Sequence, residues 1–288
     1  MAFEIVPLGE SLGAEIRGVD LRQQLDEKVT EAVRLAWYEH LVLLFRGAPL
    51  SDQELIDFTL GLGDLEFPPS KILNLAGGPA IGSDIPPEIN VISNVKENGK
   101  PIGHLGASEA TWHTDSAFVE VPPAGSILHA LEVPPSGGNT SFVNMYAAYE
   151  TLPDALRSRI DGKKIKHDQT YTSAGGRRHG YDAVTDIREA PGPWHPAVRT
   201  HPETGRKALY LGRRMNGYVE DLSVEENEEL LDAIWEHVLQ PKLIWEHKWS
   251  VGDVLMWDNR CVMHRREAFD DSNRRIMHRT QLAGDRPS

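Results

Sequence analysis

The segment that decides the fold reads Thr-Trp-His-Thr-Asp-Ser at residues 111–116, and Trp-Asp-Asn-Arg-Cys-Val-Met-His follows at residues 257–264. In an extended chain, residues i and i+2 point to the same side, so His113 and Asp115 can reach one metal ion. His264 supplies a second imidazole from a distant part of the chain. The sequence therefore predicts that these three residues form a metal site.

Two histidines and one carboxylate on one side of an ion leave its remaining positions open. That donor set is typical of non-haem Fe(II) oxygenases, which must also bind a cosubstrate and dioxygen. A chain with 12 histidines contains a His-x-Asp triplet by chance fairly often, so the pattern needs a second, independent signal.

The second signal follows His264. Residues 270–273 read Asp-Asp-Ser-Asn, which predicts a turn, and the segment after them alternates as a strand does. We expect a hairpin whose second strand places Arg275 and Arg279 on one face, beside the strand of His264. A buried arginine beside a metal indicates an anionic ligand, because its rigid fork pairs with a carboxylate through two hydrogen bonds. Arg274 is expected to lie in solvent.

Five ordered segments carry a resemblance to a known family. They are Trp-His-Thr-Asp at 112–115, Gly-Gly-Asn-Thr at 137–140, Trp-Asp-Asn-Arg at 257–260, His264, and Arg-Ile-Met-His-Arg at 275–279. Together they resemble the Fe(II)/2-oxoglutarate-dependent dioxygenases of the taurine dioxygenase and 2,4-dichlorophenoxyacetate dioxygenase type. The resemblance covers almost the whole chain. It implies an α+β fold with a mainly β core, a double-stranded β-helix (jelly roll, cupin-like) with flanking helices.

The resemblance also implies roles for single residues. His113, Asp115 and His264 would bind Fe(II), while Thr140 and Arg275 would hold the distal carboxylate of 2-oxoglutarate. Arg279 would lie beside the cosubstrate and close to the acidic group of the primary substrate. The implied reaction consumes O2, converts 2-oxoglutarate to succinate and CO2, and hydroxylates the substrate. Without the resemblance, Thr140 is only the first residue of a strand after a turn.

For the primary substrate, the resemblance divides between a phenoxyacetate branch and a taurine branch of the family. Lys71 matches a lysine of the phenoxyacetate branch, although a solvated loop lysine is the alternative. Pro68 and Glu109 replace residues that contact the substrate in taurine enzymes, and Ser116 beside the ligands is a further candidate contact. These positions favour a small organic acid of aryloxyalkanoate type, such as 2,4-dichlorophenoxyacetate. The alternatives are an alkylsulfonate or taurine dioxygenase and, in another class, a cupin-like zinc hydrolase or metabolite sensor.

Composition fits one catalytic domain over residues 1–288, since 40% hydrophobic residues can form a substantial core. The formal net charge of −13 disfavours nucleic acid or an anionic membrane as a partner. Cys261 is the single cysteine and cannot form an internal disulfide, and the N-terminus lacks a basic segment followed by an apolar run. We therefore expect a cytoplasmic enzyme, a homo-oligomer, with a small-molecule substrate.

Local patterns predict helices near the edges of a strand-rich middle. Apolar spacing predicts a helix over 26–38, and Ser51 with Glu54 and Ser223 with Glu226 form capping boxes that predict two more. Short apolar runs predict strands, at 41–45, 126–131, 208–211, 242–245 and 254–257. Residues 170–196 give no periodic signal and are interpreted as a long insertion or lid.

Overall fold

The structure, a computed structural model, describes residues 3–67 and 85–288. Its helices are α1 (Glu27–His40), α2 (Asp52–Leu62), α3 (Met145–Glu150), α4 (Asp154–Ile160) and α5 (Val224–Val238). Its strands are β1 (Glu4–Pro7), β2 (Ala14–Arg17), β3 (Val42–Phe45), β4 (Leu65–Glu66), β5 (Asn90–Ser93), β6 (Lys96–Glu97), β7 (Lys100–Pro101), β8 (His104–Leu105), β9 (Ala110–His113), β10 (Gly125–Glu132), β11 (Thr140–Asn144), β12 (Lys164–Lys166), β13 (Trp194–Pro196), β14 (Val198–Thr200), β15 (Lys207–Leu209), β16 (Tyr218–Val219), β17 (Ile244–His247), β18 (Val254–Asp258), β19 (Val262–Arg266) and β20 (Ile276–Leu282).

Two sheets dominate this mixed α and β architecture. The larger runs β1-β2-β3-β18-β10-β20-β5-β8, with β4 added beside β20. The smaller runs β17-β11-β19-β9. Nearly all contacts between neighbouring strands in the two sheets are antiparallel, and the exceptions are the parallel pairs β2 with β3 and β5 with β8.

One apolar core joins the two sheets. Phe142 and Met263 from the smaller sheet belong to the same buried cluster as Leu128, Trp257 and Met277 from the larger one. Because both sheets contribute their inner faces, side chains between them have fixed positions. The candidate metal ligands border this core, since the ring of Trp257 lies 4.8 Å from that of His264.

Both predicted capping boxes are confirmed. The Ser51 hydroxyl accepts from the Glu54 amide at 3.3 Å and the Glu54 carboxylate accepts from the Ser51 amide at 2.7 Å. Ser223 and Glu226 repeat the exchange at the start of α5. Each pair satisfies two amides that the first helical turn leaves without partners, so these helix starts were readable from sequence.

Two predicted strands begin later than expected, and a third, predicted over 208–211, ends two residues early, since β15 covers Lys207–Leu209. Leu41 is the C-cap of α1 with φ of 65°, so β3 begins one residue later than expected. Residues Pro241–Leu243 form a 3₁₀ turn, and β17 begins only at Ile244. At both late starts, apolar residues that fit the strand pattern lie instead in the turn that precedes the strand.

The predicted hairpin after His264 was also wrong. Strand β19 pairs with β9 and β11, whereas β20 pairs with β10, β5 and β4 in the other sheet. The turn at residues 270–273 therefore carries the chain from one sheet to the other. As a result, Arg275 and Arg279 approach His264 across the interior and not from a neighbouring strand.

Within the described ranges, no helix is long and apolar enough to cross a bilayer.

Candidate metal and cosubstrate site

His113 and His264 face each other across the antiparallel pair β9 and β19. They are register partners, and their ring centroids lie 4.2 Å apart. The Oδ1 atom of Asp115 lies 3.7 Å from Nε2 of His113 and 3.9 Å from Nε2 of His264. All three ligand atoms lie within 4.8 Å of one another, and all three residues are buried. The structure thus brings together the three residues that the sequence singled out.

The sequence predicted that strand alternation would position Asp115, and this was wrong. Strand β9 ends at His113, and Asp115 lies in the turn that follows. The Asn259 side chain holds that turn, because its Oδ1 accepts from the Asp115 amide at 2.8 Å and its Nδ2 donates to the Asp115 carbonyl at 2.9 Å. Ser116 adopts φ of 51°, an uncommon conformation for a residue other than glycine. The carboxylate is therefore held by a strained, clamped turn.

The protonation states suit metal binding. Nδ1 of His113 lies 2.7 Å from the Thr111 carbonyl, which holds the proton on Nδ1 and leaves the Nε2 lone pair free. Burial and the neighbouring His113 lower the pKa of His264 to about 3, so its ring is neutral at physiological pH. Burial alone would raise the pKa of Asp115, but Arg279 and His264 outweigh it and hold that pKa well below its usual range.

These donors fit a divalent first-row metal ion such as Fe(II). Two neutral imidazoles and one carboxylate supply three ligands from one side, and their ligand atoms already converge. His113 has the backbone hydrogen bond that commonly orients a ligating ring. Both the chemistry of the three donors and their arrangement therefore fit such an ion.

A closed ring of hydrogen bonds surrounds the carboxylate of Asp115. Nη1 of Arg279 donates to both carboxylate oxygens at 3.0 Å, and the Ser126 hydroxyl donates to Oδ2 at 2.8 Å. Gln281 closes the ring, since its Nε2 donates to the Ser126 hydroxyl at 3.1 Å and its Oε1 accepts from Nη2 of Arg279 at 3.5 Å. Ser126 and Gln281 were not predicted, and only the period-two relation of Gln281 to Arg279 could have indicated one of them.

A cavity opens beside the three ligands. It is lined by apolar residues and by three arginines, namely Ile92, Leu105, Ala110, Leu128, Thr140, Trp257, Arg266, Arg275 and Arg279 with the two histidines. The apolar part suits a hydrocarbon body, and the arginines suit an anion. Thr140, Arg275 and Arg279, which the sequence assigned to this site, all line the cavity.

Arg275 is buried with an incomplete set of partners. It is 2% exposed, and its Nε and Nη1 atoms have no hydrogen-bond partner in the part of the chain that the structure describes. Burial and the guanidinium of Arg266 lower the pKa of Arg275 to about 9. A guanidinium stays protonated at neutral pH, so an anion at this position would relieve the cost of its burial.

Glycine 138 lets the backbone approach Arg275 closely. Gly138 has φ of 67°, and a Cβ atom there would lie 3.4 Å from Nε of Arg275. Two residues later, the Thr140 hydroxyl accepts from Nε1 of Trp249 at 2.9 Å. Because a hydroxyl has one proton, that of Thr140 stays available for a ligand. The Gly-Gly-Asn-Thr segment thus supplies both the space and a donor.

Arg266 is a third candidate, after Ser126 and Gln281, that was not predicted from sequence. It is the last residue of β19, is 5% exposed and lines the same cavity as Arg275. Burial lowers its pKa to about 10. A period-two count from His264 along the predicted strand would have placed Arg266 on the ligand face.

The remaining sequence candidates lie in different places. Glu109 is exposed and its carboxylate lies 3.7 Å from Nη1 of Arg265, and neither Glu109 nor Ser116 is among the described residues that line the cavity. Lys71 and Pro68 fall outside the described residues. His201 is buried just before a turn, where its Nδ1 accepts from the Glu203 and Thr204 amides and its Nε2 lies 3.0 Å from the Asp258 carboxylate.

Part of the 170–196 segment lies against the strand of the ligands. The Ser173 carbonyl accepts from the Thr111 amide at 2.9 Å, and the Arg178 guanidinium lies 4.0 Å from the centre of the Phe118 ring. The segment contains a 3₁₀ turn at Ile187–Glu189 and ends in β13. A role as a lid stays a prediction.

Residues 4–281 match the family described as taurine catabolism dioxygenase TauD, TfdA family. The chain belongs to this family. TauD/TfdA enzymes are oxidoreductases that use Fe(II), 2-oxoglutarate and O2, and this chain is therefore a 2-oxoglutarate-dependent dioxygenase. Membership agrees with the donor set and with the arginine-lined cavity, and the zinc hydrolase and the sensor are set aside.

Three TauD/TfdA relatives cover nearly all of the chain. A (S)-phenoxypropionate/alpha-ketoglutarate-dioxygenase of Sphingobium herbicidovorans is 33% identical, over 99% of this chain and 96% of its own length. A 2,4-dichlorophenoxyacetate dioxygenase of Cupriavidus pinatubonensis is 35% identical, over 97% of each chain. A sulfate ester dioxygenase of Pseudomonas putida is 32% identical, over 100% of this chain and 91% of the relative.

Among solved structures, the chain is similar to AAD-2 in complex with Mn(II) and N-oxalylglycine. The TM-score is 0.79 at 31% sequence identity, and the similarity covers 100% of this chain and 99% of AAD-2. TauD-family dioxygenases have a jelly-roll fold, so the two packed sheets described above agree with family membership.

Proposed function

We propose that this chain hydroxylates a small organic acid of aryloxyalkanoate type, such as 2,4-dichlorophenoxyacetate, while 2-oxoglutarate is converted to succinate and CO2. The observation that carries the proposal is the buried, incompletely paired guanidinium of Arg275 in a cavity that also contains the histidine pair. We further propose that the two main sheets together form a double-stranded β-helix.

His113, Asp115 and His264 would hold the Fe(II) ion. Their ligand atoms lie within 4.8 Å of one another. The two histidines are register partners in one sheet, which fixes the positions of their rings. When bound, the iron supplies the oxygen activation that hydroxylation of an unactivated carbon requires. The protein fixes the positions of the three ligands, and the cavity beside the two histidines would give the cosubstrate and the substrate access to the ion.

Arg275 and Thr140 would hold the distal carboxylate of 2-oxoglutarate. Arg275 offers Nε and Nη1, two buried N–H groups without a partner in the described part of the chain, as charged donors to a carboxylate. Thr140 can donate its hydroxyl proton because its oxygen already accepts from Trp249. Fixing this end of the cosubstrate orients its 2-oxo acid end toward the three ligands.

Arg279 would attract the acidic group of the primary substrate. Its Nη1 is bound to Asp115, and its Nε atom is buried without a partner among residues 3–67 and 85–288. Ile92, Leu105 and Leu128 supply an apolar wall for a ring or alkyl body. The acid would then be held at one end, with a neighbouring C–H bond facing the ligands. Lys71 stays a second candidate for the same acid.

Hydroxylation beside an ether oxygen leads to cleavage. If the carbon between the aryloxy oxygen and the carboxylate gains a hydroxyl group, the product is a hemiacetal. The bond from that carbon to the aryloxy oxygen then breaks, the phenol leaves with a proton, and the carbon keeps a carbonyl. For an aryloxyacetate, the products are a phenol, glyoxylate, succinate and CO2.

A succinate-release screen tests the proposal. Purified chain with Fe(II), 2-oxoglutarate and O2 would be offered phenoxyacetates, 2-phenoxypropionates, alkylsulfonates and alkyl sulfates, with succinate and phenol measured together. We expect equal amounts of succinate and phenol from at least one aryloxyalkanoate, and none with His113→Ala. Turnover restricted to sulfonates or sulfate esters would replace the aryloxyalkanoate proposal by the second candidate, which the sulfate ester relative favours.

Cytoplasmic location and homo-oligomeric assembly belong to the same proposal. The single buried cysteine, Cys261, is consistent with a reducing compartment. Size-exclusion chromatography with light scattering would measure the number of subunits.

A further inference from the structure

The position of Arg266 in the smaller sheet is fixed relative to His264 and to Thr140. It lies two residues after His264 in β19, and it is the register partner of Thr140 in β11. Alternation along a strand places it on the same face as His264, and the register places it beside the threonine. Arg266 therefore lies beside the proposed site of the distal carboxylate, on the face of β19 that carries His264.

The side chain of Arg266 is held firmly at one end. Its Nη2 donates to the carbonyl of Leu105 at 3.4 Å and also to the carbonyl of Ser108, and its guanidinium carbon lies 5.4 Å from the centre of the Phe269 ring. These contacts fix the plane of the fork. They leave Nε and Nη1 buried with no partner in the described part of the chain.

Arg266 and Arg275 line the same cavity, and both lack hydrogen-bond partners for part of the guanidinium. Both line it, both are at least nine-tenths buried, and both have free Nε and Nη1 atoms. Arg274 pairs with Glu132 and Arg279 pairs with Asp115, but among residues 3–67 and 85–288 neither Arg266 nor Arg275 forms a salt bridge with a carboxylate. Two buried like charges without a counter-ion are costly, and a bound carboxylate has enough lone pairs to accept from both forks.

We propose that Arg266 is a second guanidinium for the distal carboxylate of 2-oxoglutarate, and that it makes this chain specific for a doubly charged 2-oxo acid. The role of Arg266 rests on the proposed function, since it requires the cosubstrate to lie at Arg275. Arg266 would then be a specificity residue of the cosubstrate site. A purely structural role, in which it only anchors the segment that contains Leu105 and Ser108, is the competing explanation.

Calorimetric titration separates the two explanations without any turnover. The chain would be loaded with Mn(II), then titrated with 2-oxoglutarate and with 2-oxopentanoate, which has the same carbon chain but lacks the distal carboxylate. We expect Arg266→Gln to lower the affinity for 2-oxoglutarate by at least about tenfold and to leave that for 2-oxopentanoate unchanged. Arg274→Gln is the matched control, because this neighbouring arginine lies in solvent and pairs with Glu132.

A second variant guards against loss of folding. Arg266→Lys keeps the charge but loses the fork, so it should show a smaller loss, again for 2-oxoglutarate alone. Equal losses for both acids would mean that Arg266 only anchors the nearby segment, and an unchanged affinity for 2-oxoglutarate would equally overturn the proposal. A wild-type chain that does not prefer 2-oxoglutarate, or an Arg275→Gln variant that keeps the preference, would instead reject the proposed function.

Discussion

Arg279 donates from one nitrogen, Nη1, to both carboxylate oxygens of Asp115, at 3.0 Å each. One of those oxygens, Oδ1, is also the atom nearest to the two imidazoles. The guanidinium and a metal ion would therefore compete for the same carboxylate. A cation this close stabilises the ionised form of Asp115, and it also repels a metal cation that binds to the same carboxylate.

From this competition we predict that Arg279→Gln separates metal binding from substrate binding. Glutamine can still donate to Asp115 but carries no charge, so Mn(II) affinity should stay unchanged or rise. Affinity for an aryloxyalkanoate should fall at least about tenfold, because its acid loses a charged partner. Both affinities are measurable by anaerobic titration. Weaker Mn(II) binding with unchanged substrate binding would show that Arg279 serves only the metal site.

The metal ligands themselves give a second prediction. His113→Ala, Asp115→Ala and His264→Ala should each weaken Mn(II) binding by more than about 100-fold, beyond what loss of an outer partner causes, and should abolish turnover. Far-UV circular dichroism should not change, since the sheets pair through their backbones. His40→Ala, at the end of α1, is the control histidine variant. Any ligand variant that keeps wild-type activity contradicts the assignment.

Ser126 and Gln281 are expected to act as one unit. Ser126→Ala removes a donor to Asp115 and should weaken Mn(II) affinity by roughly tenfold. Gln281→Met removes the partner that orients the Ser126 hydroxyl, and should have a smaller effect in the same direction. The double variant should lose less than the sum of the two free energies, since both changes break the same chain of hydrogen bonds. Full additivity would disprove the ring as a unit.

The cosubstrate site gives a prediction that compares two kinds of donor. Arg275→Lys should mainly raise the apparent requirement for 2-oxoglutarate, because lysine cannot reproduce a bidentate pair. Thr140→Val should shift it in the same direction by about 1 kcal/mol, the usual value of one neutral hydrogen bond. Steady-state kinetics with 2-oxoglutarate as the varied component measure both. An unchanged requirement in Arg275→Lys would move the role to another cation.

Stability of the metal-free chain should fall with acid because of buried neutral histidines. Burial, with Arg279 and Arg178 nearby, lowers the pKa of His104 to about 4, and burial, with His195 nearby, holds the pKa of His167 well below its usual range. The unfolded chain takes up these protons near pH 6.5, so folding stability is complete above that pH and is lost as pH falls toward 4. Each histidine contributes at most about 1.4 kcal/mol per pH unit.

Urea unfolding at pH 7.5, 6.0 and 5.0 measures this dependence. His104→Gln should make it shallower, because the half-buried position tolerates a polar side chain while the titrating group is gone. The expectation fails if stability rises on acidification over this range, or if His104→Gln leaves the slope as steep as in the wild type.

Much of the site was predictable because its residues are chemically distinctive. His113, Asp115 and His264 were found from residue type and spacing, and Thr140 and Arg275 were assigned through the family resemblance. The capping boxes of α2 and α5 were found from two residues each. In each case, the signal is local, or it is a match between distinctive short segments.

The misses concern partners that no local pattern specifies. The turn at residues 270–273 indicated that the chain reverses but not which sheet the next strand joins, so β20 was assigned to the wrong neighbour. Asp115 was assigned to a strand, because the clamp from Asn259 that holds its turn comes from a remote segment. Arg266 was overlooked since an arginine near the end of a strand is usually solvated, and only tertiary packing buries it.

The two imidazoles that face each other across β9 and β19 are separated by roughly 150 positions in the sequence. During synthesis, the first ligands emerge long before His264, and Arg279 comes later still. A nascent or truncated chain that stops short of β19 therefore has an incomplete ligand set and cannot sequester iron at this centre. The redox-active ion would be acquired only by molecules in which β9 and β19 have already paired, so an unfinished chain would be spared oxidation by iron held at this site.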